Sequence, residues 1–133
     1  MSTVTVMDTD GATLLFHSDA AIVHHRFKRP VGGCEIRELF EAGLELLRAH
    51  RARKWLSDDR ANYQLTPDDG RWMREDWAPR AAAAGWKYWA MVLPKDVVAT
   101  QDMQKYLAHG RSLGIDVQIF CDPILALAWL GTV

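Results

Sequence analysis

Residues 86–93, Trp86-Lys-Tyr-Trp-Ala-Met-Val-Leu93, make a short apolar run that follows Gly85 and is closed by Pro94. A run of this length between two chain breakers reads as a buried strand, covered on both faces. Helical patterns flank it on either side. Upstream, Thr66-Pro-Asp-Asp69 is a helix start, with a hydroxyl at the N-cap, proline at the first helical position and acids in the first turn. This helix is expected to run to about Ala84, to kink or break near Trp77 to Pro79 because it contains Gly70 and Pro79, and to be capped by Gly85. Downstream, Asp96 can cap a helix through Val98, Met103, Tyr106 and Leu107 as far as Gly110, and Gly114 ends the connection.

The same alternation continues outward. Lys54-Trp-Leu56 is a second buried strand, whose carboxyl end delivers the polar loop Ser57-Asp-Asp-Arg-Ala-Asn62, and Asp116-Val-Gln-Ile-Phe-Cys121 alternates as a strand should. Between Cys34 and His50, Ile36, Leu39, Phe40, Leu44 and Leu47 fall at three- and four-residue steps on one helical face. Asp122-Pro123 opens a short C-terminal helix containing Ile124, Leu125, Leu127, Trp129 and Leu130. At the other end, Thr3-Val-Thr-Val-Met7 and Thr13-Leu-Leu-Phe16 flank Asp8-Thr-Asp-Gly11, whose Asp-Gly step signals a hairpin. Ala20 to Phe27 reads as a third strand, broken by Lys28-Arg-Pro-Val-Gly-Gly33.

Three strands are thus followed by helices alternating with three more. The expected fold is one α/β domain over residues 1–133: a mixed β-sheet of about six strands, with an N-terminal antiparallel hairpin and parallel strands joined by right-handed crossovers, covered by about four helices. No internal repeat or linker divides the chain.

Composition narrows the function classes. The 133 residues are 49% hydrophobic and 25% charged, the balance of a globular domain. Sixteen basic and 17 acidic residues give a net charge of -1, so no basic field attracts nucleic acid. The one basic cluster, Arg48 to Lys54, falls at a helix end, where cations suit the dipole. The two cysteines, Cys34 and Cys121, do not indicate a disulfide scaffold. Cys34 could gain nucleophilicity from a helix start, although a buried or incidental thiol accounts for it as well. The opening Met1-Ser-Thr-Val-Thr-Val has no basic start or long apolar run, and no segment approaches the roughly 20 apolar residues of a membrane span, so a cytoplasmic location is expected.

No chemical motif stands out. Val31-Gly-Gly33 lacks the lysine and spacing of a phosphate loop, and no serine lies in a nucleophile elbow. The five histidines show no metal-ligand spacing, and adjacent His24 and His25 point to opposite faces of a strand, so no metal and no cofactor is expected. The loop Ser57, Asp58, Asp59, Arg60 and Asn62 lies beyond the carboxyl end of a strand, where open α/β sheets place ligand crevices. Its bland reading pairs Asp58 or Asp59 with Arg60 and has Asn62 close a turn. Of the six tryptophans, Trp86 and Trp89 border a buried strand and are assigned to the core, whereas Trp55, Trp72 and Trp77 are candidates for a groove or an oligomer interface.

Trp55-Leu-Ser-Asp-Asp-Arg60, Leu65-Thr-Pro-Asp-Asp69, Trp72, Trp77-Ala-Pro-Arg80 and Gly85-Trp-Lys-Tyr-Trp-Ala90 together resemble a group of small bacterial proteins of STAS-like (SpoIIAA-like, anti-sigma-factor-antagonist) fold, more distantly similar to CRAL-TRIO lipid-transfer domains. The resemblance covers most of the chain after residue 20. It implies a non-enzymatic regulatory or interaction module. In STAS antagonists a serine or threonine at the helix start after the central strand is phosphorylated; Thr66 is the positional match and Ser57 an upstream alternative. The usual Asp-Ser-Ser-Gly-like segment is missing, and Asp68 and Asp69 would repel a phosphate on Thr66.

Three readings of function remain open. The first is a STAS-like module binding a protein partner, or itself as a dimer, through Ser57 to Thr66 and the following helix. The second is a small apolar-ligand or lipid-binding protein in which Trp55, Trp72 and Trp77 line a pocket. The third is an enzyme using Asp58 or Asp59 with Arg60 and a histidine such as His24 or His25 as an acid/base set.

Overall fold

Alternating side chains build a single sheet whose strands follow chain order: β1 (Thr3–Asp8), β2 (Ala12–His17), β3 (Ile22–Phe27), β4 (Lys54–Asp58), β5 (Tyr88–Val92) and β6 (Asp116–Phe120). The structure is a computed structural model and describes residues 2–133. β1, β2 and β3 pair antiparallel and β3 to β6 pair parallel, as the strand pattern requires. The helices are α1 (Cys34–His50), α2 (Pro67–Trp72), α3 (Ala78–Ala83), α4 (Lys95–Thr100), α5 (Gln104–Ser112) and α6 (Pro123–Leu130). A π-helical turn, Met73–Trp77, joins α2 to α3.

Parallel strands added in one direction place their connecting helices on one face, because crossovers share one hand. Side chains of α1, α3 and α5 accordingly meet Leu14, Phe16, Val23, Trp55, Trp89 and Val117 in one core. The opposite face is covered by α6, where Ala126 and Leu130 pack on Ile22, Leu56, Ala90 and Val92. Two helical glycines set how closely the first layer approaches. A Cβ on Gly43 of α1 would overlap the Trp55 ring, and one on Gly110 of α5 would overlap Val117 and crowd Trp89. Gly110 is therefore a contact point inside α5, not the helix end expected from the sequence.

Several local expectations are refined or corrected. The kink or break expected near Trp77 to Pro79 takes the form of a π turn ending at Trp77, and helical backbone continues past Pro79. Proline there removes a hydrogen bond and crowds the preceding turn, and the wider π turn, with Ala78 N–H bonded to Met73 O, carries helical backbone through Trp77 and Ala78. The helix expected from Asp96 to Gly110 is two helices. Gln101 is extended, at φ −98° and ψ 157°, and Asp102 Oδ1 accepts from Gln104 N–H at 3.0 Å to start α5. Asp96 lies within α4, not at its cap. The β1–β2 hairpin reverses at the expected Asp10-Gly11 step, between Thr9 and Ala12, where Thr9 N–H donates to Ala12 O at 2.9 Å; Thr9 Oγ1 reinforces the turn by accepting from Gly11 and Ala12 N–H. Finally, β4 runs through Ser57 and Asp58, which belong to the strand and not to the loop. Cys34 and Cys121 are free thiols, both exposed.

Candidate functional site

A cavity of about 290 Å³ lies over the carboxyl ends of β3, β4 and β5, beneath the π turn and α5. Its position follows the rule for open α/β sheets. Parallel pairing sets Trp55 beside Trp89, and His25, Ser57 and Met91 in one row across three strands. Phe40 from α1, Trp77 from the π turn and Trp86 before β5 complete the apolar wall. The rings meet tilted or edge-on, with centroids 5.1 Å apart for Trp55 and Trp77, 5.3 Å for Trp77 and Trp86, and 5.1 Å for Trp86 and Trp89.

Every indole N–H of this wall is already bonded. Trp77 donates to Phe40 O at 2.8 Å, Trp86 to Tyr88 O at 3.2 Å, Trp89 to Ser57 Oγ at 2.8 Å and Trp55 to His25 Nδ1 at 2.9 Å. An indole nitrogen can only donate. The tryptophans therefore present carbon, not donors, to the cavity.

The Trp55 bond also settles the state of His25. Its Nδ1 accepts, so the proton sits on Nε2, which donates to Asp59 Oδ1 at 2.7 Å. Protonating Nδ1 would set two donors against each other. The buried chain Trp55–His25–Asp59 thus fixes the ring's orientation and that of the Asp59 carboxylate, whose Oδ2 has no hydrogen-bond partner among the described residues. Ser57, His25 and Asp59 share this site, yet they form no nucleophile–base relay. Both His25 nitrogens are occupied, and the Ser57 hydroxyl is held by Trp89.

The sequence-selected residues separate into three groups. Trp55, Ser57, Asp59, Asn62, Thr66 and Trp77 line the cavity. Asn62 Nδ2 donates to Val31 O at 3.1 Å, tying the loop after β3 to the loop after β4, and Thr66 Oγ1 caps α2 by accepting from Asp69 N–H at 3.2 Å. Ser57 is buried and Thr66 is exposed. Asp58 and Arg60 lie elsewhere: the buried Asp58 carboxylate receives Arg60 Nε at 2.9 Å and Nη2 at 2.8 Å. Trp72 stands outside the cavity, half-buried, with the Arg37 guanidinium 5.3 Å over its ring; the pocket expected of Trp55, Trp72 and Trp77 contains only the first and last. His24 faces the other side of the sheet, next to His17 at 2.9 Å, and burial pushes its pKa down to about 3.

Sequence reasoning assigned Trp86 and Trp89 to the core without seeing that they border a cavity. The usable signal was the equal parity of Trp55 and Ser57 on one strand with Trp89 and Met91 on the next. Parallel neighbours in that phase share a face. Tyr63, Arg74, Lys105, Tyr106 and His109 at the solvent end were missed as well, because they come from elements that meet only in the fold. Burial, with Tyr63 and Asp59 nearby, raises the Tyr106 pKa. Burial, and then Arg74, lowers that of His109, whose Nε2 is buried without a partner. Arg74 makes no ion pair among the described residues.

Among the described residues, no group of three or more His, Cys, Asp or Glu is placed to hold a metal ion, and no helix is long and apolar enough to cross a membrane. Comparison of the chain with protein-family models, curated proteins and solved structures gives no match in any of the three.

Proposed function

We propose that this protein is a STAS-like, non-enzymatic module that binds a small, largely apolar ligand in the tryptophan-walled cavity. One observation carries the reading: four indoles border the space, and all four of their N–H groups are satisfied by protein, leaving apolar faces toward a void of about 290 Å³. That volume is at the lower end of the roughly 300–1,000 Å³ typical of small-molecule sites. Flat aromatic bodies suit walls made of rigid rings. The test is a titration with naphthalene and indole derivatives and medium-chain fatty acids, followed by tryptophan fluorescence and by the indole N–H resonances of Trp55 and Trp89. Saturable shifts are expected, and Met73→Trp, which projects a ring into the cavity, should remove them. No shift with any compound, together with a bare mass for the purified protein under native mass spectrometry, would sink the reading.

Partner binding or self-association is a second reading, supported by a different feature. Ile124 and Leu125 on α6 are 72% and 58% exposed, unusually open for large aliphatic side chains. An interface of this kind would lie on α6, away from Ser57 and Asp58, which are buried. Light scattering on the wild type and on Ile124→Glu decides it: a wild-type dimer lost in the variant supports the reading, and two monomers remove it.

A further inference from the structure

The solvent end of the cavity points to the kind of ligand, an inference that rests on the ligand-binding reading above. The apolar wall has spent its donors on the protein, so discrimination falls to the polar groups left at the open end. From the π turn comes Arg74, exposed and without an acidic partner. From α5 come His109, Tyr106 and Lys105; the Lys105 ammonium is already engaged, 3.3 Å from Gln101 Oε1 and 5.1 Å from the Tyr106 ring centroid. From the β4–α2 segment comes Asp59, one oxygen of which is held by His25. Cations therefore outnumber carboxylates two to one at this end, and the guanidinium is the cation with no protein acceptor.

His109 adds a second, independent requirement. The residue lines the cavity, and its Nε2 is buried with no protein partner among the described residues, a state that is costly until something pairs with it. We infer that the ligand is an anionic amphiphile, a small aromatic or apolar body with a single carboxylate, seated with its body on the tryptophans and its carboxylate at Arg74 and His109 Nε2. A guanidinium receives a carboxylate through two parallel bonds, which makes Arg74 the primary contact. His109 serves by donating from Nε2. A carboxylate beside that imidazole favours its protonated form, whereas burial and Arg74 oppose it in the free protein. Binding then takes up a proton, so affinity rises as pH falls through the His109 pKa of the complex and levels off below that of the free protein.

The probes are naphthalene carboxylate, its neutral carboxamide and its aminomethyl analogue, titrated into the full chain by calorimetry. The carboxylate is expected to bind about tenfold or more tighter than the carboxamide, since one charge-assisted pair exceeds 1.4 kcal/mol. Its advantage should disappear in Arg74→Gln, a substitution at an exposed position that leaves the fold intact, and should grow between about pH 8 and pH 5. Equal binding of all three probes would overturn the head-group assignment while leaving the cavity reading standing. So would tightest binding by the amine, abolished in Asp59→Asn, which would assign a cationic head to Asp59. Failure of all three probes would overturn both.

Discussion

Neighbouring residues of β4 look onto two differently built faces. Leu56 points toward α6 and meets Ile22, Ala90, Val92, Ala126 and Leu130, none more than 3% exposed. Trp55, one residue earlier, meets the rings of Phe40, Trp77 and Trp86 at centroid distances of 6.0, 5.1 and 6.1 Å, and a cavity remains among them. Small aliphatic side chains have enough shape freedom to fill one another's gaps. Indoles are rigid plates that prefer tilted and edge-on contact. Voids forfeit dispersion energy, so a sheet that closes one face and leaves the other open has separated stability from binding. The adjacent histidines follow the same division with the roles reversed: His25, on the cavity side, has both nitrogens bonded, whereas His24, on the closed side, keeps Nε2 without a partner among the described residues.

The sharpest way to break this comparison is to truncate both neighbours. Trp55→Ala removes a fully buried indole and leaves His25 Nδ1 without its donor, and should lower the unfolding free energy by about 4–5 kcal/mol in urea titrations. Leu56→Ala should cost about 3 kcal/mol. Only the first should weaken binding of an aromatic probe. A loss of probe affinity in Leu56→Ala, measured where the variant is still folded, would show that the two faces are not separable.

Acid provides the next largest effect. The His24 pKa is pushed down by burial to about 3, against an ordinary value near 6.5, so the unfolded chain binds its proton first. Stability contributed by neutral His24 is complete above about pH 6.5 and is lost as pH falls toward 3, amounting to about 3 kcal/mol at about pH 4. Thermal melts across this range should show that limb, and His24→Leu should flatten it. A variant that keeps the full acid limb would move its origin to His17 or His109, whose pKa values burial also lowers.

The two arginine pairs give the smallest contrast. Arg60→Ala strands the buried Asp58 carboxylate on the α6 face and should cost about 2 kcal/mol. Arg80→Ala breaks exposed pairs with Glu41 and Asp76 on the cavity side and should cost under about 1 kcal/mol, less still in high salt. Equal costs would mean that burial of the acid is not what sets the difference.

Strand and helix order, the cap at Thr66 with Pro67, the Asp122–Pro123 helix start and the opposite facing of His24 and His25 were all legible before folding, because each is decided by a few adjacent residues. α1 matches its expected bounds because apolar periodicity over 17 residues leaves little ambiguity. Where two local rules compete, sequence was a coarser guide. Pro79 argued for a kink or break, which takes the form of a π turn just before it, and Asp102 interrupts a pattern that read as one helix.

The site was only half legible for a related reason. Strand parity places Trp55, Ser57 and Asp59 on a common face, and the carboxyl-end rule marks their neighbourhood. Nothing local says that Asp59 bonds His25, 34 residues away, and that Asp58 takes Arg60. Nor does it say that Trp86 and Trp89 join the wall while Trp72 is left outside under Arg37. By itself the sequence determined the period of each element and hence which side chains share a face, since backbone geometry imposes that at short range. Tertiary structure alone decided what stands across each face, because register and helix docking depend on contacts between residues tens of positions apart.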